Sequence, residues 1–101
     1  MKIELLHWEG CPSTPEAIAD LEAVLRAHGV DAPIEVREVT TQAEAEELDF
    51  RGSPTILIDG RDVDPDGAHA QRVALACRIY HLPDGRVSPV PSREMLEEAL
   101  R

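Results

Sequence analysis

Lys2 to His7 is a short apolar-rich segment ended by Gly10-Cys11-Pro12, the pattern of a buried strand. From Ser13 the period changes: Ile18, Leu21, Val24 and Leu25 recur at helical spacing, and His28-Gly29 closes the segment. Ser13 or Thr14 can cap this helix, with Glu16 completing a capping box from Ser13 and Pro15 in the tolerant first turn. Ile34 to Val39 alternates apolar and charged residues, which predicts a half-buried strand. Thr40 or Thr41 then caps a short acidic helix through Ala43, Ala45 and Leu48. After Arg51-Gly52-Ser53-Pro54 comes the β-branched run Thr55 to Ile58. Asp59-Gly60 signals a tight turn, and Arg61-Asp62-Val63 is the return strand.

The second half is less regular. Asp64 to Gln71 is polar and turn-forming, which predicts an irregular surface loop. Ala76 to Leu82 holds a short strand around Cys77-Arg78-Ile79-Tyr80, and Pro83, Pro89 and Pro91 break the stretch that follows. Ser92 opens a terminal helix carrying Met95, Leu96, Ala99 and Leu100. The order is β-α-β-α-β-β-α. A helical crossover makes the first two strands parallel, and the Asp-Gly turn makes the later pair antiparallel. An α/β fold with a mixed four-stranded sheet flanked by helices accommodates both. With no repeat, low-complexity tract or linker, residues 1–101 read as a single domain with room for one modest core.

Charge narrows the partners. The chain carries 20 acidic against 10 basic residues, a formal net charge of −10. Nucleic-acid phosphates demand clustered Lys and Arg, so the balance excludes nucleic acid and disfavours an anionic membrane surface. No apolar stretch approaches the ~20 residues of a membrane span. Glu4 and His7 interrupt any signal-peptide core, which points to a cytoplasmic protein. In that compartment two cysteines are expected to be free, catalytic or transiently bridged.

Cys11 stands at a strand-to-helix junction, where unpaired backbone N–H groups stabilise a thiolate. The Pro15 ring would collide with the carbonyl of residue 11 in a continuous helix, so the helix begins at Ser13 or Thr14 and Cys11 lies just outside it. Glu9 opposes a thiolate. A second cysteine for a Cys-x-x-Cys pair would stand at position 14, which is Thr14. Cys77 has two readings, a small core residue or a resolving cysteine for Cys11. Arg78 is expected at the surface, where it either supports an anionic thiol or does nothing special. His7 is a base for Cys11 or a half-exposed strand end, and Trp8 is expected to cover the site. No His/Cys spacing resembles a zinc site, although two thiols suit a soft ion such as copper(I) or mercury(II).

The element order, with Trp8-Glu9-Gly10-Cys11-Pro12-Ser13-Thr14 after the first strand and Ser53-Pro54-Thr55 before the third, resembles the thioredoxin fold, including its glutaredoxin-like members. The resemblance covers residues 2 to 63 and loosely the terminal helix. It implies that Cys11 is the attacking cysteine and that Pro54 is cis and packs beside it. It also implies that Trp8, Ser53, Pro54 and Thr55 bind substrate, with the Ser53 backbone open to an extended chain. The sequence departs from the family at Thr14, in the longer segment 64–91, and in having no basic cluster for glutathione. The function so implied is thiol–disulfide exchange by Cys11 on a protein disulfide or small thiol substrate, with Cys77 or an external thiol resolving the mixed disulfide. It calls for no cofactor. The alternative is a non-catalytic scaffold of the same fold that binds a protein partner or a soft metal ion.

Overall fold

The apolar run of β1 (Ile3–His7) needs cover on both faces, and it lies inside the sheet. A computed structural model describes residues Met1–Arg101. After β1 come α1 (Thr14–Ala27), β2 (Ile34–Glu38), α2 (Gln42–Leu48), β3 (Thr55–Ile58) and β4 (Arg61–Asp62). Then follow α3 (Pro65–His69), β5 (Tyr80–His81), β6 (Val87–Ser88) and α4 (Arg93–Ala99). The first four strands form a mixed sheet in the order β2-β1-β3-β4. β1 runs parallel to β2, with Ile3 opposite Ile34 and His7 opposite Glu38. It runs antiparallel to β3, with Leu5 opposite Ile56. Asp59 and Gly60, at φ of 51° and 80°, turn the chain into antiparallel β4, the backbone a two-residue hairpin demands.

Strand alternation sorts the apolar side chains into two cores. On one face Ile3, Leu5, Ile56 and Ile58 pack against Leu21, Val24 and Leu25 of α1 and Leu96 of α4. On the other, Leu6 packs with Val39, Ala45 of α2 and Phe50, joined by Leu57, Val73 and Leu75. Each fully buried aliphatic side chain contributes ~1.5–3 kcal/mol, so these two clusters hold the helices on opposite faces. His28 Nε2 and Glu97 Oε2, 3.2 Å apart, link the end of α1 to α4 at the surface. No helix is long and apolar enough to cross a membrane.

Several local expectations are corrected. The Ser13 side chain makes no capping hydrogen bond, because its backbone (φ −86°, ψ −6°) has already turned into the helix; a capping hydroxyl needs an extended residue. Thr41 and Ser92 do have extended backbones, and each accepts from the N–H three residues on, Glu44 and Met95. β2 is an exposed edge strand rather than a half-buried one, with Val36 open to solvent. The segment predicted as an irregular loop contains α3, started by Pro65 and capped by Asp64 Oδ1 accepting from Gly67 N. The proline-broken stretch carries β6, which returns to pair with β5 (Tyr80 opposite Ser88). Gly85, at φ 90°, supplies the left-handed turn residue between them.

Candidate functional site

The site is built where β1 hands over to α1. The Cys11 N–H donates to Trp8 O (3.1 Å), closing a turn, and α1 starts only at Thr14. Cys11 therefore lies ahead of the helix, as the Pro15 ring requires. Its side chain is buried, 5% exposed. The Cys11 thiol donates to Ser53 O at 3.3 Å and lies 3.9 Å from Ser13 Oγ. His7, Glu9, Cys11, Pro12, Thr14 and Pro15 line an open groove of about 620 Å³ on this side. Thr14 Oγ1 is buried there without a hydrogen-bond partner. Trp8 folds its ring over Gly10, where a Cβ would overlap the ring, and packs on the second core. The Trp8 backbone N–H donates to Ser53 Oγ at 2.9 Å.

Ser53, Pro54 and Thr55 are all buried, and the Ser53–Pro54 peptide bond is cis. The expectation that the Ser53 backbone is open to an incoming chain does not hold. Ser53 N donates to Ala76 O and Arg78 N donates to Ser53 O, each at 2.8 Å, so Ser53 and Cys77 form a parallel β-bridge. The Pro54 carbonyl accepts from Tyr80 Oη (2.5 Å), and Thr55 Oγ1 donates to Gly52 O (2.6 Å). Every polar group these residues offer along that edge is taken by the chain itself.

The segment responsible, residues 71–79, is a strap across Ser53. Gln71 clamps it from both sides: Nε2 donates to Cys77 O (2.8 Å) and Oε1 accepts from Ile79 N (3.0 Å). Val73 and Leu75 pack on the second core. Gly52, at φ 114°, lets the strap approach; a Cβ there would lie 2.6 Å from Gln71 Nε2 and 2.9 Å from Arg78 Cα. Both the backbone conformation and the space favour glycine.

Arg78 corrects the expectation of a surface arginine. Its side chain is fully buried and forms a two-pronged pair with Asp62 (2.9 and 2.8 Å). It also donates to Asp64 O (3.0 Å), and its guanidinium lies 4.5 Å from the centre of the Tyr80 ring. Burial alone would lower its pKa, but the hydrogen bonds to Asp62 and the surrounding negative charge hold it raised. Burial pushes the Tyr80 phenol upward. The charge of Arg78 thus anchors the strap.

With the strap held, Cys77 stands opposite Ser53, whose carbonyl accepts the Cys11 thiol, instead of joining the core; it is exposed, and both thiols are free. Hydrogen bonding with Cys11, then burial, then the charge on Cys11 push the Cys77 thiol up to about 11. Free thiols are chemically able to exchange with disulfides or to bind a soft ion. No group of three or more His, Cys, Asp and Glu side chains could hold a metal ion. His7 shares the groove with Cys11, whereas His28 pairs with Glu97 far from it. Sequence reasoning missed Gly52, Gln71, Asp62 and Tyr80. The one signal available was Gly52 directly before Ser53-Pro54. The chain matches no protein-family model, no curated protein and no solved structure.

Proposed function

We propose that the chain is a thioredoxin-like thiol–disulfide oxidoreductase in which Cys11 attacks and Cys77 resolves. The reading is supported by the β-α-β unit with Cys11 at its turn, the Ser53-Pro54-Thr55 segment packed beside that cysteine, and Thr14 in place of a neighbouring second cysteine. One observation carries it: Cys77 is bridged to Ser53, the residue whose carbonyl accepts the Cys11 thiol hydrogen bond. The Cys11 thiolate attacks one sulfur of a disulfide R–S–S–R; that S–S bond breaks, and the first RS⁻ leaves and takes a proton. The Cys77 thiolate, its proton released to solvent, attacks the Cys11 sulfur and expels the second RS⁻. Two electrons pass to substrate, and the protein ends with a Cys11–Cys77 disulfide. The first attack is assigned to Cys11 because it stands at the turn ahead of α1, and the Cys77 thiol, pushed up by its neighbour and by burial, follows.

The test is mass spectrometry of the reduced protein after exposure to an organic disulfide. Wild type should lose two protons' mass and show a peptide linked through Cys11 and Cys77. Cys77→Ser should stop at a mixed disulfide on Cys11, and Cys11→Ser should form neither product efficiently. A second reading, a non-catalytic scaffold of the same fold, is favoured by the burial of Cys11 and by its donation to Ser53 O, a bond only the thiol form makes. It requires that Cys11 stay unmodified throughout.

A further inference from the structure

The strap bears on which disulfide the pair can accept. An extended polypeptide docks on a strand edge by pairing with free backbone N–H and C=O groups. Beside Cys11 those groups belong to Ser53, and both are held by Ala76 and Arg78 at 2.8 Å. The internal segment makes the pairing an incoming chain would make, and the residue it sets opposite Ser53 is Cys77. It is no loose flap, being tied by Gln71, by the buried Arg78–Asp62 pair and by Val73 and Leu75 in the second core.

Approach is left from the other side. The groove containing Cys11, Glu9 and His7 is about 620 Å³, within the range of small-molecule sites. Cys11 is recessed, 5% exposed, so a large folded protein cannot easily bring a disulfide into line with its sulfur. Glu9 and Glu22 line the groove, His7 is the only basic side chain in it, and the whole chain carries −10. Such a surface repels anions and draws in cations.

We propose that the substrate of the Cys11–Cys77 pair is a small neutral or cationic organic disulfide taken up in the His7–Glu9–Cys11 groove, because the strap fills the backbone edge that a protein chain would use. The proposal rests on the thiol–disulfide reading above. The overall exchange is one small disulfide plus the reduced protein giving two small thiols plus the Cys11–Cys77 disulfide, so no further reductant enters.

The experiment is single-turnover oxidation of the reduced full chain by cystamine, 2-hydroxyethyl disulfide, oxidised glutathione and insulin. Formation of the internal disulfide is followed by mass spectrometry, and each rate is divided by that of dithiothreitol with the same oxidant. Cystamine, a dication, should exceed the dianionic oxidised glutathione by about tenfold or more, with the gap closing at high salt. Insulin should be slower than cystamine by about 100-fold, the penalty of having to displace the strap. In Gln71→Ala, which removes two strap bonds, the insulin deficit should shrink about fivefold or more. Insulin reacting within about tenfold of cystamine in wild type would overturn the substrate assignment, as would an insulin deficit unmoved by Gln71→Ala. If none of the four oxidants produces the internal disulfide, the thiol–disulfide reading itself fails, a different outcome from the loss of size selectivity.

Discussion

Replacing Asp62 by asparagine tests whether the strap hangs on a buried charge. Arg78 is the one charged residue that is buried, and Asp62 is its only direct carboxylate partner, itself 14% exposed. Asp62→Asn keeps the shape but removes the negative charge facing Nη1 and Nη2. Breaking a buried pair from one side costs about 3–5 kcal/mol, since an uncompensated charge remains. The Asp64 carbonyl and the Tyr80 ring still face the guanidinium, and Asp62 touches solvent, so the lower end, about 3 kcal/mol, is expected. A chain of this size is stable by about 5–15 kcal/mol, so the loss is a large fraction of the whole. Replacing both partners, Arg78→Met with Asp62→Leu, gives the contrast: it removes both charges together with their need for partners, and should cost less, about 1–2 kcal/mol. Urea unfolding at pH 7 measures both, with an unchanged slope confirming that the native fold is retained. A loss below about 1 kcal/mol for Asp62→Asn would show that the pair is not desolvated. So would a larger loss for the double replacement than for Asp62→Asn alone.

Gly52→Ala combines a left-handed backbone with a Cβ driven into Gln71 and Arg78, and should destabilise by about 2 kcal/mol or more; an increase in Cys11 alkylation rate would report the strap moving away. The Cys77 thiol is raised from 9.0 to about 11, so the stability it contributes is fully present below pH 9 and is lost as pH rises from 9 through 11. Iodoacetamide labelling of Cys77 should accordingly show a midpoint near 11, falling toward 9.0 in Cys11→Ala because the Cys11 hydrogen bond is the largest cause. A midpoint unmoved by that substitution would place the cause elsewhere. Tyr80→Phe leaves the Pro54 carbonyl buried without its donor and should cost about 1–3 kcal/mol in the same urea titration; a cost near zero would mean that water reaches this carbonyl.

The first two thirds of the fold were legible because their signals are local. Leu21, Val24 and Leu25 repeat at helical spacing, Thr55 to Ile58 is β-branched, and Asp59-Gly60 fixes a hairpin; each works within a few residues. The position of Cys11 ahead of α1 followed from the Pro15 ring in the same way. Beyond residue 63 the determinants become distant. Arg78 looks like a surface residue until Asp62, 16 positions away, folds under it. Ala74-Leu75-Ala76-Cys77 reads as a core run, yet of these four only Leu75 packs on the second core, and the pairing that holds Cys77 lies with Ser53. Nothing in a one-dimensional pattern states that a backbone edge is already filled.

Under the proposed thiol–disulfide reading, that filled edge changes what Thr14 in place of a second cysteine means. A resolving thiol within α1 would travel with Cys11 whatever happened elsewhere in the fold. Cys77 instead arrives from a segment held by Gln71, Val73, Leu75 and Arg78, so its reach to Cys11 is only as firm as those anchors. Closing a Cys11–Cys77 disulfide and keeping the strap docked favour the same arrangement of the chain. By linkage, each must then strengthen the other. Substitutions at Asp62 or Gln71, though they touch neither sulfur, should therefore make the internal disulfide easier to reduce, while substitutions of exposed Glu or Asp on α2 should leave it unchanged. Anchor and sulfur chemistry are coupled through the eight-residue stretch from Gln71 to Arg78, and the reduction potential is where that coupling is read.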